Sequence, residues 1–250
     1  MYKGMNLCID IGNSSSKVGV FENSELKHYF LFENTIKNND IALICNEHSI
    51  SGCILSSTAT PDAGSVEFLQ TQVPFFIELT HQTPIPITNC YQTPETLGRD
   101  RLAAVVGAAF LKPHSDILVI DAGTAITFDF IDREKNYCGG TISPGLKMRF
   151  AALNASTTHL PLVQIAENRN FQLTGNNTVN AIIYGVANGI LFEIDSYIAA
   201  FKEKYTDISV FLTGGDANFM AKRLKNSVCV EKFLVLKGLN KILEFAGNSN

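Results

Sequence analysis

Two short strings of the same shape sit 111 residues apart in this chain: Asp10-Ile11-Gly12-Asn13-Ser14 and Asp121-Ala122-Gly123-Thr124-Ala125. Each follows an apolar, β-branched run, Leu7-Cys8-Ile9 in one case and Ile117-Leu118-Val119-Ile120 in the other, of the kind that forms a buried strand. Each then turns at a glycine flanked by an acid and a small polar residue, and re-enters a second strand. Such a tip presents backbone N–H groups, a hydroxyl and a carboxylate together, the groups that hold a nucleotide phosphate and its metal ion. Taken singly, either string also reads as a tight hairpin whose Asp and Asn merely stabilise the turn. Two copies in matching places point to a duplicated domain with phosphate held between the halves.

The remaining pattern repeats the same plan twice. Strands are predicted at 6–11, 16–22 and 26–32, a helix over 35–47, a strand at 52–57, a helix over 62–72 and a strand at 74–79. The segment 80–98 carries Pro84, Pro86 and Pro94 and reads as a long loop, before a helix over Asp100–Leu111. The second half gives strands near 116–121, 125–132 and 136–142, then a helix after Pro144-Gly145 running to about 155. A long apolar-periodic helix is predicted at 178–204, then a strand at 208–213, a helix from 216, a strand at 228–230 and a helix over 233–246. The tail 247–250 reads as frayed. Periodicity alone supports an α/β chain, duplicated, with halves 1–115 and 116–250.

Composition bounds the function classes. The net charge is −4, with seven Lys/Arg against eleven Asp/Glu in 1–115 and thirteen of each in 116–250. No basic stripe marks a nucleic-acid surface, and Lys222-Arg223-Leu224-Lys225 reads as one solvated helix face. Cys8, Cys45, Cys53, Cys90, Cys138 and Cys229 form no CxxC pair and read as small buried hydrophobes. Asp10 interrupts the first apolar stretch, so no signal peptide is expected, and no uninterrupted apolar run reaches the roughly 20 residues of a membrane span. The expectation is a cytoplasmic protein without a membrane or nucleic-acid partner.

Several segments carry chemistry. Lys17, one strand beyond the first turn, can reach back to a phosphate oxygen, and Asp10 can hold Mg²⁺ through water, since Mg²⁺ keeps several waters. The second string continues to Thr127 and Asp129, adding a hydroxyl and a carboxylate. Gly98-Arg99-Asp100-Arg101 opens an apolar helix, with Asp100 at or near its N-cap. Arg101 in the first turn opposes the helix dipole, which favours a site where Arg101 binds an anion and Asp100 handles a proton. Thr213-Gly214-Gly215-Asp216 is a strand-to-helix turn whose flat glycine backbone suits an adenine or ribose. There is no G-x-x-x-x-G-K-[ST] loop, no protein-kinase signature, no H-E-x-x-H and no G-x-S-x-G elbow.

In this order the motifs resemble the type III pantothenate kinases. The strings are Asp10 to Asn13, Tyr91 with Glu95 to Arg101, Asp121 to Ala125, Gly139 to Gly145, Leu160-Pro161, Thr213 to Asp216, and Leu234 to Leu239. The resemblance covers residues 7 to about 240. It implies two duplicated ribonuclease-H-like (actin-like ATPase) domains, each a mixed five-stranded sheet with flanking helices. It also implies transfer of the ATP γ-phosphate to the 4′-hydroxyl of pantothenate, the first step of coenzyme A biosynthesis. By the same resemblance Asp100 is the general base, and Tyr91, Gly98, Arg99, Arg101 and Thr178 contact pantothenate. Asp10, Ile11, Gly12, Asn13, Ser14, Ser15, Ser16, Lys17, Thr124, Gly214 and Gly215 serve ATP. Asp121 matches the ligand of a monovalent cation (K⁺ or NH₄⁺), Asp129 is a further metal candidate, and Mg²⁺ accompanies ATP. The family is a homodimer whose pocket is completed by the second subunit, with Thr157 reaching across. Ser14 stands where Thr is usual, and Glu231-Lys232 replaces an acidic stretch; neither change removes a catalytic group. Another small-molecule phosphotransferase on the same fold, or a non-catalytic regulator, would share the phosphate turns without needing Tyr91 and Gly98 to Arg101 together.

Overall fold

The computed structural model describes residues 4–58, 63–166 and 169–248. They form two compact units. Unit 1 comprises Met1–His114, Ile131–Gly139 and Phe233–Asn250, and unit 2 comprises Ser115–Phe130 and Gly140–Lys232.

The sheet of unit 1 is built from β1 (Met5–Ile11), β2 (Ser16–Glu22), β3 (Glu25–Phe32), β4 (Ile50–Ser57) and β5 (Phe75–Glu78), in the order β3-β2-β1-β4-β5. β1 pairs antiparallel with β2 and parallel with β4, so it is central and apolar on both faces. β3 is the edge strand, and Glu25 and Lys27 there are exposed charges of the kind that discourage further pairing. Helices α1 (Asn38–Glu47) and α2 (Ala63–Gln72) make the crossovers to β4 and β5. The predicted start of α2 at Asp62 lies outside the described residues.

The second sheet runs β11-β10-β7-β8-β9-β6. Its strands are β6 (Thr88–Asn89), β7 (Ile117–Ala122), β8 (Ala125–Ile131), β9 (Asn136–Pro144), β10 (Ser209–Thr213) and β11 (Cys229–Val230). Without β6 the order reads β9-β8-β7-β10-β11, which repeats the first sheet strand for strand. β6 is the departure from two five-stranded sheets. It forms inside the predicted loop 80–98, where the main chain at Thr88 and Asn89 finds an open edge of β9.

In unit 2, α4 (Leu146–Ala155), α5 (Thr178–Lys204) and α6 (Ala217–Ala221) cover the sheet. At 27 residues α5 is long and apolar enough to cross a membrane by length and composition, but its apolar side belongs to a core. Ile182, Ile183, Val186, Ile190, Ile194 and Ile198 pack with Leu118, Ile120, Phe128 and Leu212 of the sheet. Asn177 caps it, its side chain accepting the Asn180 N–H at 2.9 Å.

Helix α3 (Arg99–Leu111) is the element that positions the candidate site of unit 1. Arg101 through Ala109 are all buried, so this is a core helix with no solvent face along that stretch. It packs along α7 (Leu234–Asn248), and two glycines allow their backbones to touch. A Cβ on Gly238 would lie 1.8 Å from the Ala103 carbonyl oxygen, and one on Gly107 would lie 2.4 Å from that of Leu234. Helical order persists through Gly247 and Asn248, past the point where the sequence predicts fraying; Ser249 and Asn250 lie outside the described residues.

Gly98 is the N-cap of α3, and Asp100, expected at or near that cap, is the second helical residue. Only half the cysteines are hidden, because Cys8 and Cys53 are buried and Cys45 partly so, while Cys90, Cys138 and Cys229 are exposed at strand edges.

Since the Ala103 carbonyl is main chain and cannot swing aside, Gly238→Ala must push α7 from α3. Its unfolding free energy should drop by about 3 kcal/mol. Gly189→Ala in α5, where an added Cβ would meet only Arg149 at 3.9 Å, should change stability by less than about 1 kcal/mol, in the favourable direction. Urea denaturation of both variants measures the contrast, and equal effects would remove the helix-contact argument.

Candidate active site

Asp10 and Asp121 are each the penultimate residue of the central strand of their sheets. Each also faces a hydroxyl across a parallel pair, Ser56 opposite Asp10 and Thr213 opposite Asp121. The Ser56 hydroxyl donates to Asp10 Oδ1 at 3.4 Å. On its antiparallel side Asp10 is in register with Lys17. The turn between them closes by the Gly12 N–H donating to the Ser15 carbonyl at 3.0 Å, leaving Asn13 and Ser14 exposed at the tip.

Asp10 is only 5 % exposed. Burial pushes its carboxyl up to about 6; the Lys17 ammonium opposes the rise, the Asp100 carboxylate adds to it, and the Ser56 hydrogen bond opposes it. A buried carboxylate whose charge is under-compensated is chemically suited to a cation. One such carboxylate also matches the way Mg²⁺ is held with phosphates and water. Among the described residues no group of three or more His, Cys, Asp and Glu could hold a metal unaided.

Asp100, whose carboxylate adds to the rise at Asp10, sits in the first turn of α3 in the same unit. The Arg101 N–H donates to Asp100 Oδ1 at 2.9 Å, which sets the carboxylate's orientation. A Cβ on Gly98 would lie 2.7 Å from that same oxygen, so the position admits no side chain without moving Asp100. The Arg101 guanidinium, 6 % exposed as a residue, lies over the Tyr91 ring at 5.6 Å. Tyr91 in turn stacks with Tyr137 of β9 at 6.1 Å between centroids. Gly139 lies beside this ring, where a Cβ would make an ordinary 3.6 Å contact with Tyr91 Cδ2, and its φ of +107 is what calls for glycine. Tyr137 was not among the residues expected; its only signal in the sequence is an aromatic two residues before Gly139.

Arg99 is tied to neighbouring strands of unit 1. Its guanidinium donates to the Ser57 carbonyl at 3.3 Å and lies 3.5 Å from Glu78 Oε1. That ties the start of α3 to the ends of β4 and β5. Ser16 is likewise committed elsewhere: wholly buried, its hydroxyl donates to the Asn34 carbonyl at 2.9 Å and accepts the Ile36 N–H at 3.1 Å. Ile11 offers only main chain, since its side chain is in the core and its carbonyl accepts from the Thr58 N–H.

In unit 2 two glycines lie against Asp121, and a third lies against the turn that follows it. A Cβ on Gly214, at φ +95, would lie 2.4 Å from Asp121 Oδ1 and 2.5 Å from the Ala122 oxygen. A Cβ on Gly123 would lie 3.1 Å from the same carboxylate oxygen. The Gly145 N–H donates to the Thr124 carbonyl at 3.1 Å, and its own missing Cβ leaves room for the Gly123 and Thr124 carbonyls. A carboxylate beside main-chain carbonyls is an all-oxygen donor set of the kind that suits hard cations. Thr124 is exposed beside it, whereas Asp129 is buried within β8.

Next to the Gly214-Gly215 turn lies a cavity of about 690 Å³, lined by Leu146, Phe150 and Phe219 on its apolar side and by Lys147, Asp216 and Asn218 on its polar side. Burial raises the Asp216 carboxyl, and Lys147 opposes the rise. Thr178 is the exposed first residue of α5. Thr157 donates to the Leu153 carbonyl at 2.7 Å and lines a groove between α4 and α5.

The duplicated sheets with paired acidic turns define the actin-like ATPase fold. Three solved structures share it: a Baf family protein from Campylobacter jejuni (TM-score 0.61, 24% identity, 97% of this chain and 99% of that one), an activator of 2-hydroxyisocaproyl-CoA dehydratase from Clostridium difficile with bound ADPNP (0.52, 12%, 98% and 95%), and a glucokinase from an Antarctic psychrotroph (0.52, 13%, 97% and 99%). Sequence narrows the class. The family model for type III pantothenate kinase matches residues 6–200. The type III pantothenate kinases of Phocaeicola vulgatus and Bacteroides fragilis are 44% and 43% identical, each over 96% of this chain and 98% of the relative. That of Flavobacterium johnsoniae is 39% identical over the same shares. The chain belongs to the type III pantothenate kinase family.

The raised Asp10 carboxyl makes stability depend on pH with a definite sign. Between pH 3.8 and about 6 the folded chain holds a proton that the unfolded chain has released. Asp10 therefore costs nothing below that window, and its cost grows as pH rises through it. Asp10→Asn should be more stable than wild type at pH 7 by up to about 3 kcal/mol, with the gain vanishing near pH 4. Urea midpoints at pH 4, 5, 6 and 7 read this directly. A gain independent of pH would contradict it.

Proposed function

We propose that this chain transfers the γ-phosphoryl group of ATP to the 4′-hydroxyl of pantothenate, committing it to coenzyme A synthesis. The observation that carries the reading is the start of α3. There Asp100 is oriented by the Arg101 N–H and electrostatically coupled to Asp10, with Arg101 laid against Tyr91.

In this reading Asp100 accepts the proton of the attacking hydroxyl as the oxygen approaches phosphorus. Arg101 pairs with the pantothenate carboxylate, the Tyr91–Tyr137 stack forms an apolar wall, and the missing Gly98 side chain leaves Asp100 its place. Arg99 acts as a positioning residue through Ser57 and Glu78, and Thr178 is a further substrate contact. Asp10 holds Mg²⁺ through water. Lys17 and the backbone and hydroxyls of Gly12, Asn13, Ser14 and Ser15 grip phosphate oxygens, as does Thr124. Asp121, beside the main-chain carbonyls of its turn, would hold the monovalent cation, K⁺ or NH₄⁺. Mg²⁺ and the monovalent cation, when bound, neutralise charge on the phosphates, and the residues then contribute positioning and fixed charge, the usual balance in phosphoryl transfer. Gly214 and Gly215 lie against the nucleoside, which the 690 Å³ cavity is large enough to admit.

The chain acts in the cytoplasm as a homodimer in this proposal, α4 and α5 meeting their copies with Thr157 reaching the partner's pocket. Support comes from the α4–α5 groove and from Met148, Val179 and Phe192, large apolar side chains left exposed on those helices.

ADP release measured with pantothenate, with and without K⁺, tests the reading. Asp100→Asn should lower kcat by about 10²- to 10⁴-fold, and phosphorylation of acetate or sugars in place of pantothenate would overturn the assignment. Arg101→Ala should raise KM for pantothenate about 10- to 100-fold while that for ATP stays nearly constant. An equal rise in both would remove Arg101 from the substrate side.

A further inference from the structure

Cys90 and Cys138 stand side by side at the edge of the second sheet. β6 pairs with β9 in parallel, Thr88 against Asn136 and Asn89 against Tyr137. The ladder runs one residue further. The Thr88 N–H donates to the Lys135 carbonyl at 2.9 Å, and two residues on the Cys90 N–H donates to the Tyr137 carbonyl at 3.0 Å. In a parallel ladder that advance of two on each strand sets Cys90 opposite Cys138. Opposed residues project to the same face, from strands about 4.8 Å apart. This separation falls within the roughly 4.4–6.8 Å between Cα atoms that a disulfide requires. The shared face is the open one. Tyr137 turns inward and is wholly buried, whereas Cys90 and Cys138 are both exposed. β6 is a two-residue strand at the sheet edge, so its backbone can adjust as a bond closes.

Both cysteines also adjoin the candidate substrate wall. Cys90 precedes Tyr91, and Cys138 lies between Tyr137 and Gly139. These are the two segments whose rings stack and whose glycine passes the Tyr91 ring.

We infer that Cys90 and Cys138 form a reversible disulfide that clamps these two segments and weakens binding on the pantothenate side of the site. The consequence rests on the pantothenate-kinase reading; the bond itself does not. The oxidant is a peroxide. One thiol attacks hydrogen peroxide, becoming a sulfenic acid and releasing one water. The second thiol displaces hydroxide from that sulfur, which leaves with the thiol's proton as a second water. Two thiols thus lose two electrons and two protons, and the peroxide becomes two waters. A dithiol restores both thiols by exchange. Such a bond in an enzyme of a reducing compartment is a switch rather than a staple.

The test treats the reduced full chain with hydrogen peroxide, traps remaining thiols with N-ethylmaleimide, and reads the digest by mass spectrometry alongside ADP-release kinetics. A peptide joining Cys90 to Cys138, lost with dithiothreitol, is expected. With it KM for pantothenate should rise about fivefold or more, and KM for ATP should stay within about twofold. Cys90→Ser and Cys138→Ser should each keep the reduced enzyme's activity and lose the peroxide effect. Recovery of both cysteines alkylated, or oxidised without the joined peptide, overturns the disulfide. A joined peptide with unchanged pantothenate KM overturns the regulation. A reduced chain that turns over ATP only with another acceptor overturns the functional reading instead, and the peptide map still decides the bond.

Discussion

The contact on which unit 1 turns is the passage of α3 across α7 at Gly107 and Gly238. Neither helix could come so near with a methyl group at these positions, because the atoms met are carbonyl oxygens of the opposing backbone. Close approach fixes the axis of α3, and the axis fixes its first turn. At that turn Arg99 holds the ends of β4 and β5, the Asp100 carboxylate adds to the rise of the Asp10 carboxyl, and Arg101 lies on Tyr91. A buried arginine and two neighbouring carboxylates are costly to assemble, so the surrounding packing has to over-determine them. The uninterrupted burial of Arg101 through Ala109 supplies that rigidity.

Duplication gave two starting points that have since diverged. Both acidic turns retain an aspartate at the end of a central strand and a hydroxyl across the parallel pair. Asp10 is buried, Lys17 and Asp100 act on it in opposite senses, and its carboxyl is pushed up to about 6. Around Asp121 the space is kept open by Gly123, Gly145 and Gly214, and carbonyl oxygens take the place of side chains.

Much of this was legible in the chain because it is local. The apolar runs before Asp10 and Asp121, the turn glycines and the ordered motifs each lie within a few residues, and the strand order follows from repeating one plan. What escaped is non-local. Ser16 belongs to the loop at Asn34 and Ile36, Arg99 to Ser57 and Glu78, and Tyr137 to Tyr91, all partners that no spacing announces. The proline-bearing loop read as irregular because a two-residue strand has no period; β6 exists only since β9 offers it an edge. The same pairing explains why Cys90 and Cys138, each beside apolar neighbours in sequence, end on the outside.

Unit 1 is written discontinuously, and that has a consequence for its birth. Its sheet and α3 leave the ribosome early, yet α7 follows only after all of 115–232 has been made. Until then α3 exposes the groove at Ala103 and Gly107 that α7 will fill, and its first turn has no fixed axis. The nascent chain can therefore build the Asp10 hairpin while Asp100 is still unplaced. A ribosome stalled before Leu234 leaves a fragment that cannot assemble the helix pair positioning Asp100.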